Sequence, residues 1–90
     1  MDNVLTKVQA VFHEAFGIDS RLISLDTTPN QIRAWDSFGH LDLACGLEQA
    51  FGINLDVDDL MGMESVREIV RIVNSKLSQL EDHSYQRRYQ

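Results

Sequence analysis

Ninety residues, 43% of them hydrophobic, suffice for one domain with one modest core and are too apolar for general disorder. No run approaches the about 20 apolar residues of a membrane helix, and Met1-Asp2-Asn3 is unlike a signal peptide. The formal charge of -6 argues against nucleic-acid binding, because phosphates need basic neutralisation.

The first segment reads as a helix. Leu5, Val8, Phe12 and Ala15, with Val4 and Val11 beside them, recur at helical spacing. Asp2 or Asn3 can cap its start, and Gly17 can end it. A long connection follows, from about Ile18 to Trp35. Leu22, Ile23, Leu25 and Ile32 are its expected anchors in the core, and Pro29 with Thr27-Thr28 argues against a continuous helix.

A second helix is expected from about Ser37 to Ala50 or Phe51, with Gly52 as its stop. Leu43, Leu47, Ala50 and Phe51 make one apolar stripe. Phe38, Leu41 and Cys45 make another, which is more than one packed face requires. The second stripe serves a partner, lines a pocket for hydrophobic cargo, or belongs to a helix buried on most sides. Gly39 and Gly46 each weaken the helix by about 1 kcal/mol relative to Ala. Trp35 either packs the preceding loop or touches a partner.

Asp56 can cap a short third helix that Gly62 stops. Ser65-Val66-Arg67-Glu68 reads as a capping box, and Val66, Ile69, Val70, Val73 and Leu77 follow at helical spacing. The expected fold is therefore all-α: a small four-helix bundle of three longer helices and a short one. Residues 1–80 form the domain, and the polar residues 81–90 are expected to be a frayed or flexible tail.

Chemistry centres on Asp36-Ser37 at the head of the second helix. Both side chains are good N-caps, yet a helix start needs only one. If Asp36 caps, the Ser37 hydroxyl is left at a helix N-terminus, where partial positive charge and free N–H groups suit a phosphate. Other chemistry finds little support. His40, Asp42 and Cys45 do not share a helix face, which disfavours an esterase-like nucleophile. Asp56-Val57-Asp58 begins like a calcium loop, but Met61 and Arg67 stand at its sixth and twelfth positions. His13, His40 and His83 have no zinc spacing, so neither a metal site nor a catalytic residue is expected. The lone Cys45 precludes an internal disulfide and fits a reducing compartment.

Asp36-Ser37-Phe38 resembles the Asp-Ser-Leu attachment motif of acyl carrier proteins. The resemblance continues without a gap through Leu47-Glu48-Gln49-Ala50-Phe51-Gly52-Ile53, Val57-Asp58-Asp59-Leu60 and Ser65-Val66, up to about Leu80. It implies that Ser37 receives 4′-phosphopantetheine from coenzyme A through a phosphopantetheinyl transferase. It implies further that acyl intermediates ride on the arm as thioesters between separate enzymes of fatty-acid, polyketide or related synthesis. The expected protein is a freestanding, cytoplasmic, monomeric carrier and not an enzyme. Phe38 takes the place of the family's usual Leu.

Asp36, Asp42, Glu48, Asp56, Asp58, Asp59 and Glu64 follow one another with no Lys or Arg between them. Such a run is either a solvated face or a surface that steers basic partners. Under the second reading, acyl-loading and acyl-processing enzymes with basic docking surfaces recognise Asp36, Asp42, Glu48 and Asp58. Phe38 and Leu41, joined by Leu55 and Met63 on the segments flanking the short helix, are expected to border the meeting place of arm and partner. An aminoacyl or peptidyl carrier is the nearest rival. A plain helical interaction module, with Ser37 only a cap, is the rival of another class.

Overall fold

The computed structural model describes the backbone of residues 3–87 and the side chains of residues 3–80. The expected tail thus lies outside the residues whose side chains are described. The described residues form four helices and no strand: α1 (Asn3–Phe16), α2 (Ser37–Phe51), α3 (Val57–Gly62) and α4 (Val66–Arg87). The all-α architecture of three long helices and one short one follows the amphipathic spacing of the sequence. α1 packs along both α2 and α4.

Short-range polar contacts set the ends. α1 closes at Gly17, whose φ of 69° suits a residue without Cβ. Gly52, at φ 68°, ends α2 in the same way. Asp56 caps α3 by accepting from the Asp59 amide, and the Asp59 carboxylate accepts from the Asp56 amide in return. At α4, the Ser65 hydroxyl accepts from the Glu68 amide at 3.2 Å. The reciprocal half of that capping box does not form, because the Glu68 carboxylate pairs with Arg71 instead.

The long connection is two single 3-10 turns, Ser20–Leu22 and Pro29–Gln31, held by a few inward side chains. Ile23, Ile32 and Trp35 are buried, and Leu25 packs at the core's edge. Leu22, expected as an anchor, is 72% exposed. Neighbours leaving so short a turn diverge, and only Ile23 faces inward. The connection also serves α4: the Val66 and Arg67 amides donate to the Thr27 and Leu25 carbonyls at 2.9 and 3.0 Å. Those donors have no acceptor within their own helix. Gln9 of α1 donates to the Ile23 carbonyl at 2.7 Å, tying the same stretch from the other side.

One core joins Val8, Val11 and Phe12 of α1, Leu43 and Leu47 of α2, and Val66, Ile69, Val70, Ile72 and Val73 of α4. Trp35 meets the Phe12 ring edge-on at 5.1 Å. Ala50, expected on the inward stripe of α2, is exposed, and Ala44 is buried in its place. The face of α2 centred on Leu43 and Leu47 is therefore rotated toward position 44. Both glycines of α2 permit close approach. A Cβ at Gly46 would come within 2.8 Å of the Val11 methyl of α1, and one at Gly39 would run into the Ala34 carbonyl oxygen.

The short helix α3 is fastened to α4 by an ion pair. Lys76 reaches the Asp59 carboxylate at 2.9 Å, with side chains 20% and 18% exposed. Burial pushes the Asp59 carboxyl up, but Lys76 and the Asp56 contacts outweigh it and hold Asp59 below its ordinary value. The hydrogen bond to Asp59 likewise raises Lys76. A carboxyl depressed in the folded state stabilises it above the unfolded pKa, and the contribution fades as pH falls through the folded value. Asp59→Asn keeps the local caps and removes the charge. It is expected to cost about 1 kcal/mol at neutral pH, and the difference from the native chain should shrink as the pH falls and vanish once Asp59 is protonated in the folded chain, below the ordinary carboxyl range. Urea titrations of both chains from neutral to acid pH check this.

Candidate functional site

The site is built on the first turn of α2. Asp36 is in extended conformation, and its Oδ1 accepts from the Gly39 amide at 2.8 Å. Its carbonyl accepts from the His40 amide at 2.7 Å. Asp36 therefore fills both roles of the cap. Ser37 is the first helical residue, exposed and free of capping duty. The amides of Ser37 and Phe38 precede the first intrahelical acceptor and remain open toward the end of the helix. An exposed primary hydroxyl beside such donors can become a phosphodiester, and the positive pole of α2 favours the phosphate. The Asp36 carboxylate works against it by like charge, and the contact it makes within the chain is the cap of α2.

Beside Ser37, large apolar side chains stand exposed among the acids Asp36 and Asp42. Phe38 and Leu41 are 80% and 54% exposed. Two residues of α3 that the sequence reading passed over, Val57 and Met61, are also exposed. α3 is bound to this end of α2 through His40, whose Nε2 lies 2.7 Å from the Leu60 carbonyl. The sequence gives no periodic signal for Val57 and Met61, since a six-residue helix is too short to show a stripe.

The remaining expected site residues divide. Asp42 and Asp58 are exposed. Glu48 is half-buried, and its carboxylate accepts from the Leu55 amide at 2.8 Å, which fixes the loop after α2. Leu55 is half-buried against the core. Met63 is only 2% exposed, so it offers no surface to a partner. It follows the last turn of α3 and turns inward to fill the core, as the end of a short helix with few other apolar residues to bury requires.

Cys45, the third residue of the second stripe, is exposed. It lines an open groove of about 590 Å³ between α1 and α2, with Ala10, Ala15, Gly46 and Ala50. The small side chains leave this space where the helices cross. Among the described residues, no group of three or more His, Cys, Asp or Glu could hold a metal ion. No described helix is long and apolar enough to cross a membrane.

Three comparisons with known proteins agree with this geometry. The phosphopantetheine attachment-site family matches residues 6–73. The acyl carrier protein of Thermotoga maritima is 26% identical over 76 residues, which is 84% of this chain and 94% of that protein. The acyl carrier protein of Trieres chinensis is 23% identical over 75 residues, 83% of this chain and 94% of that one. The solution structure of a holo acyl carrier protein from Geobacter metallireducens superposes with a TM-score of 0.80 at 29% identity, covering 89% of this chain and 92% of its own.

The division between surface and core has a direct check. Met63→Ala should destabilise the fold by about 2–5 kcal/mol, as loss of a buried Met side chain does. Leu41→Ala should stay within about 0.5 kcal/mol of the native chain, as surface substitutions do. Thermal or urea melts of the two variants decide it.

Proposed function

The chain belongs to the phosphopantetheine attachment-site family, and we propose that it is an acyl carrier protein whose arm is attached at Ser37. One observation carries the assignment of the residue. Asp36 satisfies the cap of α2, so the Ser37 hydroxyl stands exposed and uncommitted at the helix's positive end. The chain is not an enzyme: the family consists of carriers. When bound, the phosphopantetheine supplies a terminal thiol on which an acyl group is held as a thioester.

The chain's own residues present that hydroxyl and mark the surface around it. Asp36 and Gly39 fix the turn that holds Ser37 outward. Phe38 and Leu41 of α2, with Val57 and Met61 of α3, give partner enzymes an apolar patch to cover. Asp36, Asp42 and Asp58, all exposed, are the acids that steer a basic docking surface. Glu48 is half-buried and accepts from the Leu55 amide through one oxygen, and it adds its negative charge to the same face. The partners are a phosphopantetheinyl transferase and the enzymes that load and process the acyl group in fatty-acid, polyketide or related synthesis. Phe38, in the place of the family's usual Leu, favours a specialised pathway, because its larger ring asks for a different pocket in the partner. The protein works as a cytoplasmic monomer.

Incubation with coenzyme A and a broad-specificity phosphopantetheinyl transferase should add one phosphopantetheinyl group to the intact mass. Ser37→Ala should take up none while melting within about 1 kcal/mol of the native chain, because Asp36 still caps α2. Full modification of the alanine variant would remove Ser37 from the proposal, and an unmodified native chain would leave a helical interaction module.

Steering is tested separately. Asp42→Lys should slow transferase-catalysed loading several-fold at low salt, and the deficit should shrink at about 0.15 M salt, where the screening length is about 8 Å. Equal rates for both chains at every salt concentration would reduce Asp42 to a solvated charge.

A further inference from the structure

His40 is half-buried behind the attachment turn, and both of its ring nitrogens are engaged. The Trp35 indole Nε1 lies 2.8 Å from His40 Nδ1. An indole N–H is a donor and never an acceptor, so Nδ1 must carry the lone pair. His40 Nε2 lies 2.7 Å from the Leu60 carbonyl, which can only accept, so Nε2 must carry the proton. The two contacts leave one protonation state that satisfies both: neutral imidazole with its proton on Nε2. The rings of Trp35 and His40 lie nearly parallel, 12° apart. Trp35 is itself 3% exposed and braced edge-on by Phe12 of α1.

We propose that His40 is a positioning residue whose neutral form clamps the attachment turn and α3 to one rigid anchor, Trp35, and that protonation of His40 opens the clamp. The imidazolium has a proton on Nδ1, which then faces the Trp35 N–H donor to donor. The bond to Leu60 survives protonation, while the bond to Trp35 does not. Ser37 and Phe38 lie between the two clamped points in sequence, and Val57 and Met61 ride on the helix that Leu60 belongs to. Opening the clamp therefore loosens the placement of the hydroxyl relative to the apolar patch that a partner must cover at the same time.

No other charged group takes part in these bonds. The charged residues on the surrounding elements are Arg33 and Asp36 before α2, Asp42 and Glu48 on α2, Asp56 at the start of α3, Asp58 and Asp59 on it, and Glu64 after it; Glu48 is engaged with the Leu55 amide and Asp56 with the Asp59 amide. Asp36 is engaged with the Gly39 amide, and Asp59 with Lys76 of α4. On α1, Lys7 and Glu14 line the groove between α1 and α2, which His40 does not. The consequence is a carrier whose surface is organised while His40 is neutral and loosened once it is protonated.

The clamp itself can be tested without the arm, so its failure is distinct from failure of the carrier reading on which its functional consequence rests. Trp35 is the sole tryptophan, and its emission reports the neighbouring ring, since imidazolium quenches indole. Nitrogen NMR of the histidine side chains at about pH 8 should show His40 protonated on Nε2, and Trp35 emission should fall with the same midpoint as His40 titration. His40→Gln has an acceptor and a donor but does not titrate, so its emission should be flat. The ratio of native to His40→Gln loading rates, which cancels the transferase's own pH response, should fall about three- to tenfold across the His40 protonation that the NMR follows, the factor implied by one hydrogen bond. A His40 protonated on Nδ1 at pH 8, or an emission change that does not follow His40, overturns the clamp. A rate ratio that stays flat while His40 titrates overturns its positioning role. If His40→Gln does not fold, the tautomer and the emission midpoint of the native chain still decide.

Discussion

The hydrogen bond from the Gly39 amide to the Asp36 carboxylate is the contact on which the site depends. It starts α2 at Ser37 rather than one residue to either side. The turn is pinned from behind as well, because position 39 faces the Ala34 carbonyl and admits no side chain. Cap and close approach together fix which residue is exposed at the first position of the helix. That residue is a serine, and it is the one polar side chain of the turn with no structural work. In a capped helix the spare hydroxyl sits where backbone donors and the helix dipole meet an incoming phosphate. The same register sends Leu43 and Leu47 into the core and Phe38 and Leu41 outward, so one hydrogen bond coordinates stability and display.

The acidic run has two functions that composition alone cannot separate. Asp36 and Asp56 cap helices, Asp59 closes a capping box and holds Lys76, and Glu48 holds the Leu55 amide. These carboxylates replace water with backbone donors and so shape the segment between α2 and α4. Asp42 and Asp58 have no such contact and remain exposed. Negative potential on this face is thus partly a by-product of how the short elements are terminated. Among the described residues, only Asp56 and Asp59 of these acids face a cation, Lys76, whereas the amides bound by Asp36 and Glu48 leave their negative charge in place.

Much of this was legible in the chain because caps and stops are local. Asp36, Asp56 and Ser65, with Gly17 and Gly52, mark helix ends within a residue or so, since each acts on donors or carbonyls within four positions, whereas Gly62 is still helical and Met63 caps α3. Burial was less legible, because it depends on neighbours distant in sequence. Leu22 yields the interior to Ile23, Ala50 to Ala44, and Met63 turns from the expected partner surface into the core. The Glu68 half of its capping box is lost to Arg71, a competition that a motif does not weigh. The link from Trp35 through His40 to Leu60 had no motif at all: it crosses the cap at a spacing of five and then reaches twenty residues on to a carbonyl.

The central claim is that Ser37, released from capping by Asp36, is the hydroxyl that carries the arm. Tandem mass spectrometry of the native chain after transferase treatment tests it most directly, by locating the added group among the hydroxyl side chains. Ser20, Ser24, Thr27, Thr28 and Ser65 provide internal controls within the same molecule. The account predicts the phosphopantetheinyl group on Ser37 and on none of the others. Its appearance on Ser65, the serine that does cap a helix, or on any hydroxyl of the connection would contradict the account.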